Sequence, residues 1–143
     1  MMPTSTILTP RCKGEQMVRI GQLMNRSLVT VKAGTTVMEA AKVMGERQIG
    51  SVLVEDNNQV IGIVTEPDIV RKVVGTSKPP YFTHVESIMS SPVISIDERR
   101  SVTEAADLMQ RHRLRHLAVS QSGAIVGVLS VRDLLHPVSI DEF

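Results

Sequence analysis

Tryptophan is absent from this 143-residue chain, and its aromatics amount to two phenylalanines and one tyrosine. The stacking platforms on which proteins hold single-stranded nucleic acid are therefore nearly missing. The core must be aliphatic, drawn from the Val, Ile, Leu, Ala and Met that dominate a hydrophobic fraction of 42%. An excess of one charge is missing too, because 16 basic residues against 15 acidic leave a formal net charge of +1. No global field attracts a polyanion, so any basic function has to be local. A single cysteine, Cys12, excludes an internal disulfide and a multi-cysteine metal site, consistent with a reducing cytoplasm. In its polar surroundings Cys12 reads as an ordinary thiol. No apolar run approaches the roughly 18 residues of a membrane span, and MMPTSTILTPRCKGEQ lacks the basic-then-apolar order of a secretory leader. The expectation is a cytoplasmic protein without a membrane segment, large enough for one compact domain or a fused pair of small ones.

What is present is a duplication. Sliding the sequence against itself by 65 residues aligns its halves without a gap. LMNRSLVTVKAGTTVMEAAKVM (23–44) lies over IMSSPVISIDERRSVTEAADLM (88–109), and VIGIVTEPDIV (60–70) over IVGVLSVRDLL (125–135). Identities fall on Met24/Met89, Val37/Val102, Glu39/Glu104, Ala40/Ala105, Ala41/Ala106, Met44/Met109, Gly62/Gly127 and Asp68/Asp133, among others. Each half reads as strand, helix, strand, strand, helix. LVTV (28–31) and VISI (93–96) are β-branched runs; Val37, Ala40, Ala41, Met44 and their counterparts Val102, Ala105, Ala106, Met109 then keep the spacing of one buried helix face. Thr36 with Glu39, and Ser101 with Glu104, form capping boxes that open those helices. Strands around 52–54 and 117–119 lead into polar turns holding Asn57, Asn58 and Gly123, which tolerate a tight reversal. Second helices are expected from about Glu66 to Val74 and from about Val131 to Leu135.

One such unit exposes too much apolar surface to stand alone. The predicted fold is α+β, with two β-α-β-β-α repeats packed about a pseudo-twofold axis and two related clefts between them. Pro79 and Pro80 mark the boundary. The expected organisation is an N-terminal tail at 1–18, repeat one at 19–75, a linker at 76–84, repeat two at 85–138 and a C-terminal tail at 139–143. Gly62 and Gly127 sit inside strands, where glycine weakens packing unless a ligand or the other repeat approaches closely. Met24, Met44, Met89 and Met109 read as core filler.

The element order, the openings MNRSLVTV and MSSPVISI, and the closing patterns GIVTEPD and GVLSVRD resemble the CBS domain family, whose repeats occur in pairs called Bateman modules. The resemblance covers about residues 18–138. It implies a regulatory module that binds an adenosine-containing ligand such as AMP, ADP, ATP or S-adenosylmethionine, requires no cofactor, and works on an unknown effector protein. It also implies that the Thr/Ser and Asp of one repeat meet the start of the middle strand of the other. One cleft would then join Ser130 and Asp133 to Ile49, Gly50 and Ser51, and the second would join Thr65 and Asp68 to Arg115 and His116. In each, the aspartate would accept hydrogen bonds from the ribose hydroxyls. Thr65 or Ser130 would hold a phosphate oxygen at the start of the second helix, and backbone near Val29 or Ile94 would read the adenine. Thr65 to Asp68 and Ser130 to Asp133 also suit simple helix capping, and that reading stands beside the other.

The run RHRLRHL (111–117) is the dense basic cluster of the chain, so the Arg115 and His116 cleft is expected to be the better phosphate site. Arg111, His112 and Arg113 equally suit a solvated helix end. His112 and His116 are not expected to bind metal, since no acidic third ligand lies nearby. GxSxG, HExxH, a P-loop and catalytically spaced acid pairs are all missing, so no catalytic residues are expected. Nucleic-acid binding would rest on RHRLRH, Arg11 and Lys13 alone, and balanced charge argues against it. The competing function is a ligand-free interaction or dimerisation module, with the helices DIVRKVV and DLLHPV pairing between chains in a closed homodimer.

Overall fold

The computed structural model describes residues 18–135. Cys12, Arg11, Lys13 and the expected C-terminal tail at 139–143 lie outside the described residues, as does all of the expected N-terminal tail but Val18. Repeat one runs β1 (Thr30–Lys32), α1 (Val37–Arg47), β2 (Ser51–Asp56), β3 (Gln59–Thr65) and α2 (Glu66–Lys72). Repeat two runs β4 (Ser95–Asp97), α3 (Val102–His112), β5 (His116–Gln121) and β6 (Ala124–Ser130), and residues 131–135 begin a further helix, α4. Each repeat holds one three-stranded sheet in which the first strand is parallel to the second and the second is antiparallel to the third. The α+β duplication is as expected.

Local chemistry explains the elements. Thr36 Oγ1 accepts from the Glu39 N–H at 3.2 Å while Glu39 Oε1 accepts from the Thr36 N–H at 3.0 Å. Ser101 and Glu104 repeat the arrangement at 3.2 and 3.1 Å, so both expected capping boxes are formed. Asn57 and Asn58 take positive φ values of 52° and 63°, which lets the β2–β3 hairpin turn in two residues. Ser122 and Gly123 do the same between β5 and β6.

The first strands start later than the β-branched runs suggested. The carbonyls of Val29 and Ile94 accept from the Leu53 and Ala118 N–H groups at 3.0 and 3.2 Å, yet their own N–H groups have no partner among the described residues. The chain is still entering the sheet there, so β1 and β4 each shrink to three residues.

Val37, Ala40 and Met44 of α1 pack on Val52, Val54 and Val64 to form one core. Ala105 and Met109 of α3 pack on Leu117, Val119 and Leu129 to form a second. On the opposite sheet faces, Leu53, Ile63 and Ala118 are buried as well, as expected of strands covered on both sides.

Each repeat's leading segment completes the other repeat's core, which sequence reasoning did not anticipate. Ile20, fully buried at the start of a 3₁₀ turn (Ile20–Gln22), and Met24 belong to the second core. Asn25 exchanges two backbone bonds with Val128 of β6, at 2.9 and 3.0 Å. In return Val85 and Ile88 belong to the first core, and Ser90 exchanges bonds with Ile63 of β3 at 3.1 and 2.9 Å. The two strand glycines lie at these crossings. A Cβ on Gly127 would meet Met24 Sδ at 2.6 Å and the Asn25 carbonyl at 2.9 Å, and one on Gly62 would run into Met89 Sδ. Their close approach is therefore to the partner repeat. Among the described residues no helix is long and apolar enough to cross a membrane.

Candidate functional site

The chain leaves β6 at Ser130 and turns directly into α4. The Ser130 N–H donates to Asp133 Oδ2 at 2.8 Å, and Ser130 Oγ accepts from the Asp133 N–H at 3.2 Å. Capping therefore fixes the orientation of both side chains. Across from them β2 begins at Ser51, after Gln48 closes α1 in the left-handed region with φ 55°. Between the two lies a cleft of about 320 Å³, at the lower end of the range of small-molecule pockets. Ser130, Asp133, Ile49, Gly50, Ser51 and Val29, six of the expected residues, line it together.

The cleft also holds residues the sequence reasoning missed. Asn25 and Ser27 come from the MNRS opening, where only the motif as a whole was noticed. Leu53 and Val128 supply aliphatic walls, and strand alternation from Ser51 and Ser130 would have pointed to both. Arg132 lies between Ser130 and Asp133 at a position the closing pattern leaves variable.

His116, expected beside Thr65 and Asp68, lines this same cleft. A Cβ on Gly50 would lie 3.2 Å from His116 Nε2 and 3.0 Å from Glu66 Oε1, so the glycine gives these groups room to approach. His116 Nδ1 is buried and has no hydrogen-bond partner among the described residues. Burial pushes the imidazole below its ordinary pKa; Glu66 and Asp133 pull it back up, while Arg115 and Arg132 lower it further. The unfolded chain therefore binds this proton more tightly than the folded one. The His116 contribution is fully present above about pH 6.5, the ordinary imidazole value, and fades as pH falls toward the depressed folded pKa. Thermal melts should show His116→Gln losing less stability than the parent between pH 7 and 5, and parallel curves would refute the assignment.

In repeat one the corresponding residues lie at the start of α2. Thr65 and Asp68 cap α2 reciprocally, with the Thr65 N–H and hydroxyl both 3.0 Å from Asp68 Oδ2. Among the described residues no hydrogen bond or ion pair joins Arg115 to either of them. Arg115 is exposed and lines a groove with Leu114, Val131 and Leu134. Ile94 is partly buried against the second core, and its carbonyl is engaged by Ala118. The described residues include no cluster of three or more His, Cys, Asp or Glu that could hold a metal ion.

The chain is similar to known proteins in sequence and in fold. The sequence pattern of the CBS domain matches residues 20–75 and again 85–139. A protein of Methanopyrus kandleri described as uncharacterized is 38% identical over 120 residues, which are 82% of this chain and 61% of that protein. The chain thus spans less than two thirds of that relative's length. A solved CBS-domain protein from Burkholderia ambifaria MC40-6 superposes with a TM-score of 0.83 at 36% identity, covering 88% of this chain and 97% of its own. The CBS domain pair of protein MJ0100, solved in complex with 5′-methylthioadenosine and S-adenosyl-L-methionine, shares the fold at TM-score 0.77 and 21% identity, over 88% and 99% of the two chains.

Proposed function

Because the chain belongs to the CBS domain family, we propose that it is a regulatory module that binds an adenine nucleotide in the cleft between its repeats and conveys occupancy to another protein. The observation that carries this reading is the cleft itself, in which Ser130 and Asp133 of one repeat face Val29 and Ile49 to Ser51 of the other. Asp133 accepts from the ribose hydroxyls, since its Oδ1 has no hydrogen bond or ion pair among the described residues. The unpaired Val29 N–H reads an acceptor on the adenine edge, and Leu53 and Val128 cover the ring faces. The Arg132 guanidinium and the Ser130 hydroxyl hold phosphate oxygens, and this favours AMP, ADP or ATP over the cationic S-adenosylmethionine. Protein MJ0100 binds adenosine compounds within the same fold, which supports the ligand class.

Thermal shift with AMP, ADP, ATP and S-adenosylmethionine tests the reading. A ligand at a hundredfold excess over its Kd stabilises the folded state by about 2.7 kcal/mol. Asp133→Asn keeps a capping acceptor for Ser130 but loses the charge, and should weaken binding by about ten- to a hundredfold, the worth of a hydrogen bond to an ionised group. No shift with any of the four, or an unaltered Kd in the variant, would overturn the proposal.

A second reading has its own observation. Val70 and Val74 on and after α2 are 61% and 65% exposed, and Val131 at the start of α4 is 39% exposed. Val70 and Val131 border apolar grooves beside Ile69 and Leu134. Pairing of these faces in a homodimer is compatible with nucleotide binding and would replace it if the cleft proved empty. Sedimentation at the 15.7 kDa mass of one chain would remove the homodimer.

A further inference from the structure

The two aspartates stand at equivalent positions of the duplication, yet their surroundings differ. Asp68 is engaged at both oxygens: Oδ2 by the Thr65 N–H and hydroxyl, each at 3.0 Å, and Oδ1 by Lys72 Nζ at 3.1 Å. The same ammonium donates to the Ile88 carbonyl at 2.9 Å. Lys72 therefore ties α2 to the segment that enters repeat two, two residues before Ser90 bridges to Ile63. Asp133 has only the Ser130 N–H on Oδ2, at 2.8 Å. No cation pairs with it among the described residues, and the Ser130 hydroxyl is not donated to it. The duplication also lacks the means to copy the Lys72 contact, because the residue aligned with Lys72 is Pro137, which has no donor.

We infer that the chain carries one effective nucleoside site, the Asp133 cleft, and that Lys72 holds Asp68 out of service in the other. The inference rests on the nucleotide reading given above and goes beyond it by assigning the stoichiometry and the residue that sets it. A ribose diol bound in bidentate fashion needs both oxygens of one carboxylate. Around Asp68 it would have to displace an ammonium that also bonds a carbonyl, whereas Asp133, among the described residues, offers a free Oδ1 and, beside the single Ser130 N–H, a second lone pair on Oδ2. The Lys72 side chain is 46% exposed, but the Asp68 side chain it pairs with is only 13% exposed and the ammonium bonds the Ile88 carbonyl as well, so a ligand has to break two charge-assisted bonds at once. A tenfold or greater difference between the clefts is the expected scale, and removal of Lys72 should relieve it.

Calorimetric titration of the full chain with AMP, ADP, ATP and S-adenosylmethionine in turn reads the count directly. One equivalent per chain is expected. Asp133→Asn should abolish or weaken that event at least tenfold, and Asp68→Asn should leave it within about twofold. Lys72→Met, which keeps the apolar stem, should add a second event and bring the count toward two. Two equal sites in the parent, loss of the single event in Asp68→Asn, or a count still at one in a folded Lys72→Met would each overturn this inference while leaving nucleotide binding intact. Absence of heat with all four ligands would overturn the underlying function and this inference together.

Discussion

Ile20→Ala destabilises the protein by roughly 2–5 kcal/mol, the cost of cutting a large aliphatic side chain back to a methyl inside a core. Its position near the start of the described chain gives no hint of that, since substitutions in terminal segments usually change stability by less than about 0.5 kcal/mol. Yet Ile20 is fully buried, packed in the core of repeat two with Ile96, Leu117 and Leu129. Its backbone is held as well: the Ile20 N–H donates to the Arg100 carbonyl at 3.1 Å and the Gly21 N–H to the Glu98 carbonyl at 3.0 Å. Partners on these fixed strands cannot close in on the void, so both the transfer and the cavity terms should appear. Urea unfolding should show a lower midpoint with an unchanged slope. A shift under about 0.5 kcal/mol would mean the segment only rests on the surface.

Gly127→Val is the second large effect, at roughly 3 kcal/mol, the upper part of the usual cost of overpacking a core. The new Cβ would come 2.6 Å from Met24 Sδ and 2.9 Å from the Asn25 carbonyl. The thioether can swing away, but the carbonyl cannot, because it accepts the Val128 N–H at 3.0 Å. The related change at Gly62 meets only the flexible Met89 side chain at its nearest atoms, so Gly62→Ala should be milder than Gly127→Ala. Equal melting temperatures for the two alanine variants would contradict this ranking. Gly127→Val also displaces Asn25 and Val128, both lining the cleft, so nucleotide affinity should fall along with stability.

Much of the fold could be read from residue order because local signals agreed with one another. The capping pairs at Thr36 and Ser101, the paired asparagines of the first hairpin and the helical spacing through Met44 and Met109 each report on neighbours in sequence. The exchange of leading segments left no such mark. Ile20 and Val85 are single aliphatic residues in short 3₁₀ turns, without a period to show which core they face. The Asp133 cleft was legible for the same reason the duplication was, since its residues occupy repeated positions. What escaped was the departure from symmetry. Lys72 reaches Asp68 across a single helical turn, which spacing would allow, but its second bond to the Ile88 carbonyl depends on how two distant segments meet. In the basic run the charges of Arg113 and Arg115 were visible, but not the groove that both line with Leu114, Val131 and Leu134.

The crossed segments also govern what happens when the backbone is severed. Residues 74–79 are exposed and offer the natural point of attack for a protease. A cut there yields two polypeptides, each lacking a wedge of its own interior and carrying the missing wedge of its neighbour. Such halves are interlocked without a covalent joint: they should elute as one particle in native buffer and come apart only in denaturant, much as a clasp outlasts the cord that once ran through it.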